Sequence, residues 1–182
     1  KMLKAADTRS VIGYRDRTIL EVFYSSGIRR AELLNLRLSD VNYEEGFLCV
    51  TGKGNKDRMV PLGKIASQYL ENYIQSVRPE LVKAPSNNHL FLSTRGNKMA
   101  KSTLRAVVEK YVKMAGIKKK VRPHTFRHTC ATAMLKNKAN IRIIQELLGH
   151  SSLLSTQVYT RLTIMDLKEV HQRCHPREKD KE

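Results

Sequence analysis

The sequence predicts an α+β domain, mostly helical, with one small three-stranded antiparallel sheet. Three observations predict it. Apolar residues recur at helical spacing through most of the chain, while β-rich runs are few and short. Two of those runs flank a glycine-rich turn. A length of 182 residues with 41% hydrophobic side chains suits one domain with a full core, or at most two small ones.

The elements read in order. Tyr14 to Ser26 carries Ile19, Leu20, Val22 and Phe23 on a helical pattern, with Gly27 where a C-cap belongs. Ile28 to Leu36 reads as a second, short helix. Phe47 to Thr51 and Arg58 to Leu62 form a hairpin around Gly-Lys-Gly-Asn-Lys-Asp. Ile65, Ala66, Tyr69, Leu70, Tyr73 and Ile74 mark a helix face that stops before Pro79. Leu90 to Ser93 supplies the third strand. Ser102 caps a helix that turns Leu104, Val107, Val108, Tyr111 and Val112 inward and closes at Gly116. The last third is helical: Thr125 to Lys136 after Pro123, Ile141 to Leu148 ending at Gly149, Ser152 to Leu162, and Met165 to His171. The last of these has an apolar face, which either its own domain or a neighbour must cover. Residues 1–174 are expected to form one domain, and the charged end, 175–182, to fray.

Lys plus Arg number 34 against 17 Asp plus Glu, a net charge of +17. Such an excess draws in polyanions. Nucleic acid is the first candidate and an anionic membrane surface the rival, although no apolar run approaches a bilayer span. Cys49, Cys130 and Cys174 lie too far apart for a disulfide framework or a zinc knuckle. They predict two buried thiols and one tail thiol in a reducing cytoplasm. No signal peptide is visible, and the opening at Lys1, close to a helical pattern, reads as an excerpt from a longer protein.

Six residues carry types that belong together: Arg29, Lys53, His124, Arg127, His150 and Tyr159. Two guanidinium forks match the oxygens of one phosphate, and fixed cations favour the charge-rich pentacoordinate state. Histidines hold a phosphate oxygen or move a proton near neutral pH. A lysine can protonate a departing oxygen, and a tyrosine, with a pKa near about 10, becomes a nucleophile only beside such neighbours. Each has a plainer reading alone. Glu32, one turn on, can pair with Arg29 or Arg30; Lys53 can be an exposed turn residue; Tyr159 can be core. His124 and His128 have the i, i+4 spacing of a zinc helix, but Thr125 stands where its glutamate belongs and no third ligand is evident, so no metal is predicted and His128 reads as core or supporting.

Four segments together resemble the conserved boxes of tyrosine site-specific recombinases (integrases), nearest to Xer-type and phage or transposon integrases. They are Ser26-Gly-Ile-Arg-Arg-Ala-Glu-Leu-Leu-Asn-Leu, Gly52-Lys-Gly-Asn-Lys-Asp-Arg-Met-Val-Pro-Leu, Pro123-His-Thr-Phe-Arg-His-Thr-Cys-Ala-Thr and Leu148-Gly-His-Ser-Ser-Leu-Leu-Ser-Thr-Gln-Val-Tyr-Thr. They span essentially the whole chain in order. The resemblance implies the DNA breaking-rejoining fold, with Tyr159 as nucleophile, Lys53 as the hairpin lysine and Glu32 in support of Arg29. It implies a covalent 3′-phosphotyrosyl intermediate that needs no cofactor, metal or ATP. It also implies double-stranded DNA at a specific site as partner, and a tetramer linked through the C-terminal helix. The N-terminal DNA-clamping domain usual in the family is not in this sequence. Phosphate contacts are expected from Lys56, Arg58, Arg95, Lys98, Lys101, Arg105, Lys119, Lys120 and Arg122, against the plainer reading of a solvated surface. A type IB topoisomerase would differ by relaxing a plasmid that has no recognition site. A DNA-binding module without catalysis would differ by forming no covalent adduct.

Overall fold

Ser10 sets the start of the first helix. Its hydroxyl accepts from the Gly13 N–H at 3.1 Å, filling one of the donors a helix start leaves open. In the computed structural model this helix, α1, spans Val11–Ser26 and ends on Gly27, whose φ of 60° is left-handed. The cap rather than the first apolar residues decides the boundary, so α1 begins a turn before Tyr14. The structure describes residues 1–52, 57–84, 87–149 and 164–178.

α1 is the central element, packed against helices on either side. It buries Arg15, Asp16, Arg17 and Glu21 as well as Ile19, Leu20, Val22 and Phe23. Buried charges need partners. Arg15 lies 2.7 Å from Asp16, and Arg17 lies 2.7 Å from Glu21. The Tyr111 hydroxyl donates to Asp16 at 3.1 Å, and Arg15 donates to the Leu92 carbonyl at 3.0 Å.

The short helix α2 spans Arg30–Asn35. The sheet runs in the order β1 (Val41–Asn42), β2 (Phe47–Thr51), β3 (Asp57–Pro61), all antiparallel. The hairpin register pairs Phe47 with Pro61 and Thr51 with Asp57. Three strands were expected, but the third is Val41–Asn42, not Leu90–Ser93. That segment makes only an isolated bridge from Leu92 to Lys98. Scattered backbone bonds, such as the Leu90 N–H to the Leu36 carbonyl at 2.8 Å, and side chains hold it: Arg78 donates to the carbonyls of Asn87, His89 and Leu90, and the Tyr73 hydroxyl donates to Leu90 at 3.1 Å.

α3 spans Lys64–Asn72 and widens into a π turn, Tyr73–Val77, before α4, Arg78–Leu81. The helical path therefore passes Pro79, because the proline falls in a first turn, where its missing N–H costs nothing. α5 spans Lys101–Met114 with Ala100, not Ser102, at its cap, and Gly116 follows at φ 63°. α6 spans Pro123–Lys136, starting on the proline itself, and α7 spans Ile141–Leu148 between Asn140 and a left-handed Gly149. The helix expected over Ser152–Leu162 lies outside the described residues.

α8, Ile164–Cys174, folds back on its own domain against β3 and α6. It buries Leu167, Val170, His171 and Cys174 and leaves Met165 exposed. The expected fraying of 175–182 does not hold for its first part. His175 is buried, Pro176–Glu178 form a 3-10 turn, and His171 and His175 stack with centroids 4.6 Å apart. The imidazole of His171 meets Glu178 at 3.2 Å and the Ser25 carbonyl at 2.8 Å, so polar partners inside the domain order this stretch. The thiols differ from expectation in one respect: Cys130 and Cys174 are buried and Cys49 is half-buried, all three free.

Burial pushes the Glu178 carboxyl up, but the hydrogen bond and charge of His171, with help from Lys64, hold it below its ordinary 4.5. A depressed carboxylate stabilises the fold above its ordinary value and loses that stabilisation as pH falls through the folded one. Glu178→Gln should therefore cost about 1–3 kcal/mol near neutral pH. Urea unfolding should show the gap to wild type closing below about pH 4. A gap that persists unchanged in acid would assign the loss to packing.

Candidate active site

Arg29 is the cap residue of α2, two positions beyond Gly27. Glu32 reaches back to it, accepting from the Arg29 backbone N–H at 2.7 Å and from Nη1 at 2.8 Å. The second amino group, Nη2, donates to the Gly149 carbonyl at 2.8 Å. Glu32 takes a second guanidinium from β3, with Arg58 Nη1 and Nη2 at 3.0 and 2.9 Å from its two oxygens. Burial pushes the Glu32 carboxyl up, but the hydrogen bonds from Arg58 and Arg29 and the Arg58 charge outweigh it and hold Glu32 below the usual carboxylate range.

Arg127 approaches from α6. The buried Phe126 and Cys130 anchor that helix on α1, with Phe126 stacked on Phe23 at 5.7 Å. Arg127 Nη1 donates to the Gly27 carbonyl at 3.0 Å and Nη2 to the Leu148 carbonyl. Burial, together with the Arg29 and Arg58 cations, brings the Arg127 guanidinium down to about 10 against the pull of Glu32. It stays charged at neutral pH. Arg29 and Arg127, far apart in sequence, thus lean on one shared turn, Leu148-Gly149 after α7, and Arg127 also holds the Gly27 turn after α1. Both glycines sit at left-handed φ, and a Cβ on Gly149 would meet Arg58 Nε at 2.8 Å.

His124, in the first turn of α6, is exposed and lines a groove of about 610 Å³ between α5 and α6. Arg30, Arg105, Lys113, Lys120 and Arg122 line the same groove, a concentration of positive charge with Glu109 among it. Arg30 and Lys113 were not among the residues expected to meet DNA. Arg95, Lys98, Lys101, Arg105, Lys119, Lys120 and Arg122 are all exposed, with Arg105 paired to Glu109 at 2.7 Å. Arg58 departs from the expectation. Its side chain is 16% exposed and its guanidinium is engaged with Glu32. The signal was in the hairpin: Arg58 lies two residues before Val60 and so shares its core-facing side of the strand. His128 is exposed rather than core, and among the described residues no three His, Cys, Asp or Glu side chains gather as a metal set.

Lys53, Lys56, His150 and Tyr159 lie outside the described residues. Of the other tyrosines, Tyr73 and Tyr111 are buried, and burial raises both hydroxyls, Tyr73 to about 12. Tyr14 rings against Tyr69, and Tyr24 against His175.

The profile described as the phage integrase family matches residues 1–165. The chain belongs to that family. It is 40% identical over 176 residues to tyrosine recombinase XerD of Staphylococcus saprophyticus and equally to that of Staphylococcus aureus, covering 97% of this chain and 60% of each relative. The chain thus spans about 60% of the length of the curated relatives it matches. Among solved structures it resembles the XerA recombinase, with TM-score 0.74 and 35% identity over 96% of this chain and 62% of that one. It also resembles XerH recombinase bound to its difH substrate before cleavage, with TM-score 0.72 and 26% identity over 94% and 50%. The mostly helical domain with a three-stranded antiparallel sheet is therefore the fold of this family, as the sequence predicted.

Proposed function

We propose that this chain is the catalytic domain of a site-specific recombinase that cleaves and rejoins DNA through Tyr159. The observation that carries the reading is the convergence of Arg29 and Arg127 on the Leu148-Gly149 turn, with Arg127 also on Gly27. Arg127 shares α6 with the exposed His124, which lines a basic groove together with Arg30, the neighbour of Arg29. Two guanidiniums fixed by backbone carbonyls keep further N–H donors for one phosphate group, and fixing them in advance favours a transition state that gathers charge.

In the proposed step the Tyr159 oxygen bonds to phosphorus and the bond to the 5′ oxygen breaks. His124 or His150 takes the phenolic proton, and Lys53 delivers one to the departing 5′ hydroxyl. A 5′ hydroxyl of a partner strand reverses the step and joins a new strand. Energy stays in the phosphotyrosyl bond, so ATP is not needed. The exposed basic residues from Arg95 to Arg122, with Lys56, track the duplex backbone. The protein works on DNA in the cytoplasm, and no helix among the described residues is long and apolar enough to cross a membrane. Assembly into a tetramer through α8 requires that helix to leave the face it buries on its own domain.

The test is a covalent one. The full protein is mixed with a duplex selected by binding from a random pool and nicked at each step across the bound site. A denaturation-resistant adduct on a 3′ phosphate is expected, and its absence at every nick would sink the reading. EDTA should leave adduct formation unchanged, because side chains supply the charge and protons that a metal otherwise would. Inhibition by EDTA that a divalent ion reverses would show that the step depends on metal.

A further inference from the structure

Arg58 has the chemistry of a DNA contact and the position of something else. Its two amino groups grip both oxygens of Glu32, and Nε faces the Leu147 carbonyl at 3.4 Å. The same guanidinium lies against the backbone of Gly149, close enough that a Cβ there would collide with it. Gly149 and Glu32 are in turn the two partners that fix the amino groups of Arg29. One side chain therefore braces both supports of the first arginine.

The geometry at Glu32 gives this a chemical purpose. A carboxylate beside a single arginine favours the two-pronged pair, fork to fork, which consumes two of its donors. Here Arg58 occupies that mode, and Arg29 is left with one side-chain bond to Oε1 plus its backbone N–H. Glu32 thus holds Arg29 without taking the donors that a phosphate needs. We infer that Arg58 is a positioning residue for strand cleavage: it saturates Glu32 and props the Gly149 turn, so that Arg29 stays aimed and keeps its remaining N–H donors for a phosphate. This rests on the reading of Arg29 as a phosphate clamp.

The experiment uses the full protein and the nicked duplex, and compares Arg58→Lys, Arg58→Met, Glu32→Gln and the double change Arg58→Met with Glu32→Gln. Affinity, its salt dependence and the adduct rate at saturating protein are measured separately. Both Arg58 variants should bind with wild-type affinity and salt slope, which also shows that they fold. Arg58→Met should form adduct about 10- to 100-fold more slowly, since small misplacements of a clamp cost that much. Arg58→Lys should be slow as well, because an ammonium keeps the charge but cannot span both carboxylate oxygens. The double variant should be no slower than the slower single one. The inference is overturned if adduct forms at the wild-type rate while affinity drops and the salt slope falls by about one, the behaviour of a phosphate contact. It is overturned equally if the losses in the double variant add. A wild-type protein that forms no adduct overturns the catalytic reading itself, and so is distinguished from failure at Arg58 alone.

Discussion

Replacing Tyr159 with Phe should abolish the covalent adduct, by more than about a thousandfold, while leaving affinity for the duplex near wild type. The change removes one oxygen and keeps the ring, so any packing of the side chain survives. Other tyrosines offer poor substitutes. Tyr73 and Tyr111 are sealed in the core with their hydroxyls shifted upward by burial, which makes the phenolate harder to form. The readout is radiolabelled DNA retained on denatured protein, alongside a gel-shift titration of the same variant. Adduct from Tyr159→Phe would move the nucleophile to another residue. Lost binding with lost adduct would make Tyr159 a contact rather than a nucleophile.

Much of this site was legible in the sequence, because the arginines sit next to strong punctuation. Gly27 and Gly149 are helix stops that any reading finds, and each carbonyl turns out to hold an arginine. Glu32, three residues past Arg29, matches a capping pattern and was found as its partner. What sequence reasoning lost were cases where a polar side chain points inward. Arg58 was read as surface because the hairpin around it is basic, although its two-residue spacing from Val60 puts it on the core side. The charges of α1 were not counted as buried, since a helix buried nearly all round has no polar face to reveal it. Leu90–Ser93 looks like a strand and is held by Arg78 and Tyr73, contacts that no local pattern announces. His175 and Glu178 looked like a loose tail because their partners, Tyr24 and His171, lie on α1 and α8.

Under the proposed function the surface charge and the site charge do different work, which separates binding from catalysis. On the proposed reading, exposed lysines and arginines around the groove supply affinity for DNA that salt weakens. The inner cluster is screened less: Arg29, Arg58 and Arg127 share one carboxylate, Glu32, which leaves it positive before any DNA arrives. A variant of the outer set should therefore change how much DNA is bound, and a variant of the inner set should change what happens to it.

Arg127→Lys is the sharpest case of the second kind. The guanidinium spends one N–H on Gly27 and one on Leu148, and its planar fork keeps the rest for a phosphate. An ammonium has three donors on a point, so it cannot hold both carbonyls and still present two parallel bonds to substrate. One of the two turns loses its anchor, or the phosphate loses its clamp. The net charge is unchanged, so long-range attraction to DNA is too. Adduct formation at saturating protein should fall on the order of 100- to 1000-fold, the usual cost of one lost donor to a developing anion. Affinity and its salt slope should stay close to wild type. The measurement is the single-turnover rate on the nicked duplex beside a salt titration of binding. Equal losses in rate and affinity would reduce Arg127 to a docking residue. An unchanged rate would mean that the carbonyls at Gly27 and Leu148 hold a structural arginine and that the phosphate is clamped elsewhere.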